Sequence, residues 1–257
     1  MFKHLKFLGM LSLLCFSFFY TEKIAKFMRQ KDPLYVSIET MKDDYKEDYV
    51  NAIIEDDYII PGLMGKEINV EKSFQKMQNY GYFIEDSIVY ENKEPKISLK
   101  NNGQKIIKKG NSLKNNVALI TQNVCLATYL SEMSIPYNIL VTKETASSNY
   151  YNGTKINFDK QNYEETEQIL KNERNNLCFV KNNFQDICLK YKKNLIKETV
   201  SINKNNLPSQ YKKIEAGYIL YLEDDLDLSG LKVLIKEINF KGLKIVSLTD
   251  LISEERS

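Results

Sequence analysis

Apolar runs of strand length alternate with helical patterns from residue 117 to the end of the chain. Runs such as "VALIT", "YNILVT" and "GYILYL" are continuously apolar, and helical patterns such as "CLATYLSEMS" separate them. Continuous apolar strands are typical of parallel sheets that helices cover on both faces. The pattern therefore predicts an α/β domain over residues 117–257, built on a parallel sheet or barrel.

Polar residues mark where the last two helices of this domain are expected to begin. Ser229 is the predicted N-cap of a helix that carries apolar side chains on one face and ends at Gly242. Thr249 is the predicted N-cap of a short final helix.

The residues before this domain predict a smaller module and two connecting segments. "AIIEDDYII" has two apolar runs around an acidic tip, which is typical of a hairpin. Asn69 is suited to cap a helix that Gly81 ends. We predict a connector over residues 22–47, a small α+β module over 48–100 and a polar, basic linker over 101–116.

The uncharged run "FLGMLSLLCFSFFY" covers residues 7–20 and follows basic residues. As a helix it spans ~21 Å, short of the ~30 Å hydrocarbon core, and snorkelling by Lys6 and Lys23 can supply the remainder. Small residues for signal cleavage do not follow the run, so an uncleaved signal anchor over residues 1–21 is favoured over a cleaved signal peptide. This predicts one transmembrane helix, a single-pass cell-membrane location and an extracytoplasmic globular part. Basic residues on both sides leave the orientation open.

Charge and residue usage exclude several classes of function. The net charge is +2, from 36 basic and 34 acidic residues, so the protein has no strong overall positive charge that would attract it to nucleic acid. His4 is the single histidine and lies before the apolar run. Histidine-based catalysis and histidine-ligated metals are therefore excluded from the rest of the chain, and we predict no metal and no cofactor.

The predicted globular part contains Cys125, Cys178 and Cys188. An odd number of cysteines cannot all pair within one chain. Cys178 and Cys188 can form a disulfide if the domain lies outside the cytoplasm. The alternative, three buried thiols that act as small apolar residues, is favoured by the general behaviour of cysteine.

The C-terminal run "GYILYLEDDLDLSGLKVLIKEINFKGLKIVSLTDLI" resembles the end of a polysaccharide deacetylase (NodB-homology) domain. In that family a strand leads to a leucine–histidine pair, here Leu222 and Glu223. A helix then leads to a lysine–glycine turn, here residues 241–242, and the last strand ends in a serine–leucine–acid step, here residues 247–250. "VALITQN" stands where the first strand of the family ends in two aspartates. The N-terminal segments resemble those of a membrane-anchored, divergent group from Gram-positive-type bacteria.

The resemblance implies a distorted TIM-like (β/α) barrel and a family chemistry in which zinc, held by one aspartate and two histidines, assists hydrolysis of the acetamide of N-acetylated glycans. Gln122 and Asn123 stand where the resemblance places the aspartates. Asn149 and Gly153 stand where it places the histidine ligands, and Glu223 replaces the histidine that acts as the acid. An amide is a poor base and a weaker ligand than a carboxylate, so the resemblance implies a pseudoenzyme.

One functional hypothesis is therefore a membrane-anchored pseudoenzyme that binds envelope glycan or a protein partner. Amide and aromatic groups suit hydrogen bonding to sugars and stacking on them. An ordinary polar loop is the alternative interpretation of the stretch "SSNYYNGT". The candidate glycan-binding residues are Asn123, Asn149, Tyr150, Tyr151 and Asn152.

Two other hypotheses remain open. A carbohydrate deacetylase or other hydrolase with a relocated site would use acidic residues that follow a strand, because barrel enzymes place chemistry at strand ends. The alternative interpretation is a solvated acidic loop before a helix. These acidic candidates are Glu223, Asp224, Asp225 and Asp227. An envelope scaffold with no ligand is the third hypothesis, and the sequence does not separate it from a glycan binder.

Overall fold

The computed structural model describes residues 2–140, 153–158, 176–180 and 185–256. The chain divides into two compact units. The smaller unit comprises Met1–Asp48 and Gly65–Lys93, and the larger unit comprises Tyr49–Met64 and Glu94–Ser257. These bounds differ from the predicted segments, because residues 49–64 and 94–116 belong with the α/β domain.

The helices and strands of the described residues are numbered in chain order. The helices are α1 (Phe2–Arg29), α2 (Pro33–Thr40), α3 (Val70–Met77), α4 (Val124–Glu132), α5 (Gln185–Lys190), α6 (Leu207–Gln210), α7 (Leu228–Phe240) and α8 (Leu248–Ile252). The strands are β1 (Ile53–Glu55), β2 (Tyr58–Ile60), β3 (Gly65–Ile68), β4 (Tyr90–Lys93), β5 (Ile106–Ile107), β6 (Asn116–Thr121), β7 (Tyr137–Leu140), β8 (Gly153–Phe158), β9 (Leu177–Phe179), β10 (Asn194–Ile196), β11 (Val200–Ile202), β12 (Ile219–Leu222) and β13 (Lys244–Val246).

Helix α1 contains the uncharged run that was predicted to be a membrane anchor. None of the helices in the described ranges combines the length and the apolar character that a bilayer crossing requires. The predicted transmembrane helix is therefore not supported. The physical reason is that the uncharged run over residues 7–20, as a helix, spans only ~21 Å of the ~30 Å hydrocarbon core. Lys23 and Lys26 follow this run closely.

The smaller unit packs α2 and α3 around one apolar cluster, together with the antiparallel strand pair β3–β4. The rings of Tyr35 and Phe74 meet edge to face with centroids 5.6 Å apart. Asn69 caps α3 as predicted, because its Oδ1 accepts the N–H of Lys72 at 2.9 Å. The same side chain donates from Nδ2 to Oε2 of Glu91 at 2.8 Å, which ties the helix start to β4.

The larger unit is built on one predominantly parallel sheet. Its strands follow the order β1-β2-β5-β10-β9-β8-β7-β6-β12-β11, and β13 also pairs with β6. Among the described pairings of this sheet, only β1–β2 is antiparallel. Strands β6, β7, β9 and β12 are buried along their whole length, as continuous apolar runs require. The predicted α/β class is confirmed.

The sheet curls, so that side chains on its inner face meet across it. Phe179 in β9 and Tyr221 in β12 stack with ring centroids 5.5 Å apart, although three strands separate them. Neighbouring strands lie about 4.8 Å apart, so a flat sheet would hold these two residues roughly 19 Å apart. Thr199 joins the end of β5 to the start of β12. Its Oγ1 donates to the carbonyl of Lys108, the residue after β5, at 2.5 Å, and it accepts the N–H of Ile219, the first residue of β12, at 3.0 Å. Phe179 and Tyr221 belong to one buried apolar cluster, which we call the inner cluster. It also contains Ala118, Ile120 and Ile196, and Leu248, Leu251 and Ile252 of α8.

Residues 101–116, predicted to be a linker, contain β5 instead. Ile106 and Ile107 are buried, and β5 pairs with β2 on one side and with β10 on the other. The hairpin predicted from "AIIEDDYII" forms as β1–β2, but it lies in the larger unit because β2 pairs with β5. A two-residue strand inside a run of lysines and amides is too short to show any periodicity, so the sequence pattern did not predict it.

A polar side chain completes the edge of β6 that β7 and β13 share. Strand β13 pairs with residues 116–118 of β6, and β7 pairs with residues 120–121. At the gap, Asn138 donates from Nδ2 to the Leu119 carbonyl at 2.9 Å. Its Oδ1 accepts the N–H of Leu248, the first residue of α8, at 3.2 Å. The fully buried Asn138 therefore joins β6, β7 and the final helix.

Both predicted caps of the last two helices are wrong by two residues. Asp227, not Ser229, caps α7, because its Oδ1 accepts the N–H of Gly230 at 2.7 Å. Ser247, not Thr249, caps α8 and accepts the N–H of Asp250 at 3.1 Å. Each segment contains several residues able to cap, and the choice depends on which one has extended backbone where the strand or loop ends.

Candidate functional site

The carboxyl ends of three neighbouring strands bring five polar side chains together. Strand β12 lies between β6 and β11, with Leu222 in register with Thr121 and with Ile202. The residues that follow these three strand ends therefore share one edge of the sheet. We call them the strand-end cluster, which consists of Gln122, Asn123, Asn203, Glu223 and Asp224.

Gln122 is joined to an acidic residue of the neighbouring strand end. Its Nε2 donates to Oδ2 of Asp224 at 2.6 Å. Gln122 follows β6 on the side of Ala118 and Ile120, whose side chains belong to the inner cluster. The resemblance assigns an aspartate to the position of Gln122. The amide found there occupies one acceptor oxygen of Asp224, and it has no basic group of its own.

Asn123 uses each of its polar atoms within the protein. Its Oδ1 accepts the N–H groups of Cys125 and Leu126 at 2.9 and 3.2 Å and so caps α4. Its Nδ2 donates to the Asp224 carbonyl at 3.2 Å, and its own N–H donates to Oγ1 of Thr121 at 3.0 Å. Asn123 was predicted as a glycan-binding residue, and the structure gives this side chain a capping role.

Replacing Asn123 with alanine is expected to lower the free energy of unfolding of the larger unit by about 1–2 kcal/mol, because the cap of α4 is lost. Asn123→Asp retains the accepting oxygen and should keep most of the stability. Denaturant unfolding followed by circular dichroism measures the difference. Thr128→Ala, on the exposed side of the same helix, is the control and should change stability by less than about 0.5 kcal/mol. Equal losses for the alanine and aspartate variants of Asn123 would contradict the capping role.

The four acidic candidates have different environments. Asp227 caps α7, and Asp225 is exposed. Glu223 is half-buried and accepts from Nδ2 of Asn203 at 3.5 Å, whereas Asp224 accepts from Gln122. In the described ranges no group of three histidine, cysteine, aspartate or glutamate side chains is placed to hold a metal ion.

Two further residues lie below the strand-end cluster, and neither was predicted from the sequence. Tyr221 is buried in the inner cluster, where burial, followed by the charges of Asp224, Glu223 and Glu198, raises the pKa of its phenol to about 12. Glu198 follows β10 two residues after Ile196, which also belongs to the inner cluster. The alternation of side chains along a strand could have found both residues, since it places them on the inner face.

The phenol of Tyr221 makes stability depend on pH at the alkaline end. A raised pKa in the folded state means that the unfolded phenol ionises first, from its ordinary value of 10.0, and stability is lost as the pH rises towards about 12. Between pH 9 and pH 11 the wild type should lose about 1.4 kcal/mol more than Tyr221→Phe. Denaturant unfolding at the two pH values tests this. Tyr80→Phe, at an exposed tyrosine, should behave as the wild type, and a Tyr221→Phe variant with unchanged pH dependence would contradict it.

The zinc site of the resembled family does not fit the residues present. Oδ1 of Asn123 is committed to the cap of α4, and Gly153, at one histidine position, has no side chain. Asn149, at the other, lies outside the described residues. The glycan candidates Tyr150, Tyr151 and Asn152 also lie outside them. We therefore derive no chemical step through a metal.

The cysteines differ from the favoured expectation of three buried thiols. Cys178 in β9 and Cys188 in α5 form a disulfide with Cα atoms 6.1 Å apart. Cys125 is a free thiol and is exposed rather than buried. The bridge lies in an apolar cluster on the outer face of the sheet, where it fastens α5 to β9.

Comparison with known sequences gives a partial match. No known family profile matches the chain. The Bacillus subtilis (strain 168) protein named "Uncharacterized protein YlxY" is 34% identical over 104 residues, which is 40% of this chain and 33% of that protein. The chain thus spans about a third of the length of the curated relative that it matches.

Comparison with solved structures identifies the fold. The wild-type form of a CE4 family pseudoenzyme from Bacillus anthracis superposes with a TM-score of 0.59 and 18% identity, covering 88% of this chain and 97% of its own. A mutant of that protein superposes with a TM-score of 0.60 and 17% identity, covering 88% of this chain and 100% of its own. A second mutant, described as having restored enzymatic activity, superposes with a TM-score of 0.58 and 17% identity, covering 87% of this chain and 99% of its own. The resemblance inferred from the motifs is confirmed at the level of the fold.

Proposed function

We propose that this protein is a non-hydrolytic, deacetylase-like module that binds glycan of the bacterial cell envelope at its strand-end cluster. The observation that carries the proposal is the hydrogen bond from Gln122 to Asp224, 2.6 Å long. In this hydrogen bond Gln122 acts as an amide donor, whereas the family chemistry implied by the resemblance would use an aspartate at its position as a base or a metal ligand. Amides and carboxylates at the end of a curled sheet are suited to binding the hydroxyl groups of sugars.

In this proposal the larger unit is a distorted barrel of the deacetylase type. The stacking of Phe179 on Tyr221 and the two hydrogen bonds of Thr199 support a sheet that closes on itself. Barrel proteins bind ligands at the carboxyl ends of their strands, which is the edge that carries the strand-end cluster.

The proposal places the protein outside the cytoplasm and at the membrane surface. The disulfide between Cys178 and Cys188 supports an oxidising compartment, because cytosolic proteins keep their thiols reduced. Helix α1 exposes large apolar side chains along its described positions, and Lys23 and Lys26 lie among them. Such a helix can lie in the interface of an anionic membrane. Sedimentation of the full chain with anionic vesicles, but not with neutral ones, is the expected result.

The activity test incubates the full chain with N-acetylated wall glycan, with and without added zinc. We expect no acetate release and specific retention of the protein on purified wall material. Gln122→Ala should weaken retention, whereas Gln104→Ala, an exposed glutamine outside the strand-end cluster, should not. Acetate release that a chelator abolishes would refute the proposal.

A hydrolase with a relocated site is the second candidate, because Glu223 and Asp224 follow the end of β12 and barrel enzymes place chemistry at strand ends. It predicts acetate release that persists in the presence of a chelator. Absence of both acetate release and wall retention would favour a scaffold that binds an envelope protein.

A further inference from the structure

A cavity of about 590 Å³ opens at one edge of the sheet in the larger unit. Leu177 and Asn194, the first residues of β9 and β10, line it together with α8 and the segment that follows α8. Strands β10, β9, β8, β7, β6 and β12 are parallel neighbours, so their amino ends share one edge and their carboxyl ends the other. The cavity therefore lies on the edge opposite to the strand-end cluster, and its volume is in the range of pockets that hold small ligands.

One carboxylate of the cavity lining is held in place by the backbone. Oε1 of Glu254 accepts the N–H of Gly62 and the N–H of Leu99, each at 2.9 Å. The main-chain carbonyl of Glu254 accepts the N–H of Met64 at 2.6 Å. Its Oε2 accepts no hydrogen bond from any residue that the structure describes. The lining therefore contains an oriented acceptor that a ligand can use without a rearrangement of the protein.

Two amide side chains lie at neighbouring strand starts in the same lining. Asn176 precedes β9 and Asn194 begins β10, and the N–H of Asn194 donates to the carbonyl of Asn176 at 2.6 Å. Within the described part of the chain, neither side-chain amide takes part in a hydrogen bond. An amide side chain both donates and accepts, and the hydroxyl groups of a sugar do the same.

The rest of the lining favours a neutral ligand over an anion. Lys100, the one basic residue of the described lining, is already paired with Glu94 at 3.0 Å. The lining thus lacks the convergent positive charge that anion binding uses. A sugar ring presents hydroxyl groups to polar side chains and C–H groups to apolar ones. The apolar residues of the lining are Met64, Leu99, Leu177 and Ile252.

We propose that this cavity is a second glycan-binding site, in which Glu254, Asn176 and Asn194 hydrogen-bond to the hydroxyl groups of a neutral sugar unit. The free oxygen of Glu254 accepts from a hydroxyl group, and the two amides donate to and accept from its neighbours. The inference goes beyond the proposed function, because this site shares no residue with the strand-end cluster and lies on the other edge of the sheet.

Calorimetric titration of the full chain with the tetramer of N-acetylglucosamine tests this inference. The titration compares the wild type with a Gln122→Ala chain, in which the strand-end cluster is weakened. We expect the Gln122→Ala chain to retain one tetramer-binding site. Adding Asn176→Ala and Asn194→Ala should weaken that binding about tenfold, since each lost hydrogen bond lowers affinity by a factor of about two to ten.

Two further variants test the cavity without removing a packed side chain. Glu254→Gln keeps an oxygen for the two backbone N–H groups but replaces the free oxygen by a donor, so it should weaken binding severalfold. Thr249→Arg, at an exposed residue of the lining, should fill the cavity and abolish binding. Asn239→Ala, at an exposed asparagine outside the cavity, is the matched control and should bind as the parent chain does. Circular dichroism identifies any variant that fails to fold.

The outcomes separate this inference from the proposed function. If Gln122→Ala removes all binding and the cavity variants leave wild-type binding unchanged, the inference is overturned and the strand-end function stands. If the cavity variants remove the wild type's whole binding and Gln122→Ala changes nothing, the inference stands and binding at the strand-end cluster is overturned. A chain that does not bind the tetramer overturns the inference, while retention on wall material still tests the strand-end cluster.

Discussion

Replacing Asn138 with alanine is expected to destabilise the larger unit by about 2–6 kcal/mol. The substitution leaves two buried backbone groups, the Leu119 carbonyl and the Leu248 N–H, without their partners, and each such group costs about 1–3 kcal/mol. For a protein of this size the melting temperature should fall by roughly 4–24 °C.

The measurement is thermal and denaturant unfolding, read from the transition of the larger unit, because a chain of two compact units need not unfold in a single transition. Asn239→Ala, at an exposed residue near the end of α7, is the control and should stay within about 0.5 kcal/mol of the wild type. An Asn138→Ala variant as stable as Asn239→Ala would show that the joint between β6 and α8 does not depend on this side chain.

Reduction of the Cys178–Cys188 disulfide is expected to lower the free energy of unfolding by about 2.7 kcal/mol. The bridge closes a loop with a sequence separation of 10 residues, and loop-closure entropy gives that magnitude. Unfolding of the wild type with and without reductant measures the loss. The same comparison on a Cys178→Ala/Cys188→Ala double variant should show no effect of reductant.

Alkylation provides an independent readout of the same bridge. The chain has 4 cysteines, so the denatured but unreduced protein should be modified at two of them. Cys125→Ala, which removes an exposed free thiol, should keep the full sensitivity of stability to reductant. Modification of every cysteine without reduction would show that the two thiols remain separate, as the sequence-based alternative had it.

The fold class was predictable because the strands are long enough to show a pattern. "VALIT" and "GYILYL" are continuously apolar, and the structure buries both in the centre of the sheet. Asn69 was identified as a cap because it is followed by a clear amphipathic helix. Strand β5 was missed because two isoleucines carry no period, and its pairing partners are distant in the sequence.

The candidate site was predictable in position but not in role. The resemblance located Gln122, Asn123 and Glu223, and the structure brings them to one sheet edge. The side-chain amides of Gln122 and Asn123 both donate to Asp224, about a hundred positions away, and no local pattern reports such pairs. Glu198 was not predicted because the feature that distinguishes it is a buried Oε2 without a hydrogen-bond partner, and only the packing of the folded chain reveals such a feature.

The position of α8 in the inner cluster has a consequence for synthesis. Leu248, Leu251 and Ile252 complete that cluster, yet they follow all of the described strands in the sequence. The interior of the sheet therefore stays open until α8 has been translated, and until then the nascent chain exposes apolar surface that chaperones recognise.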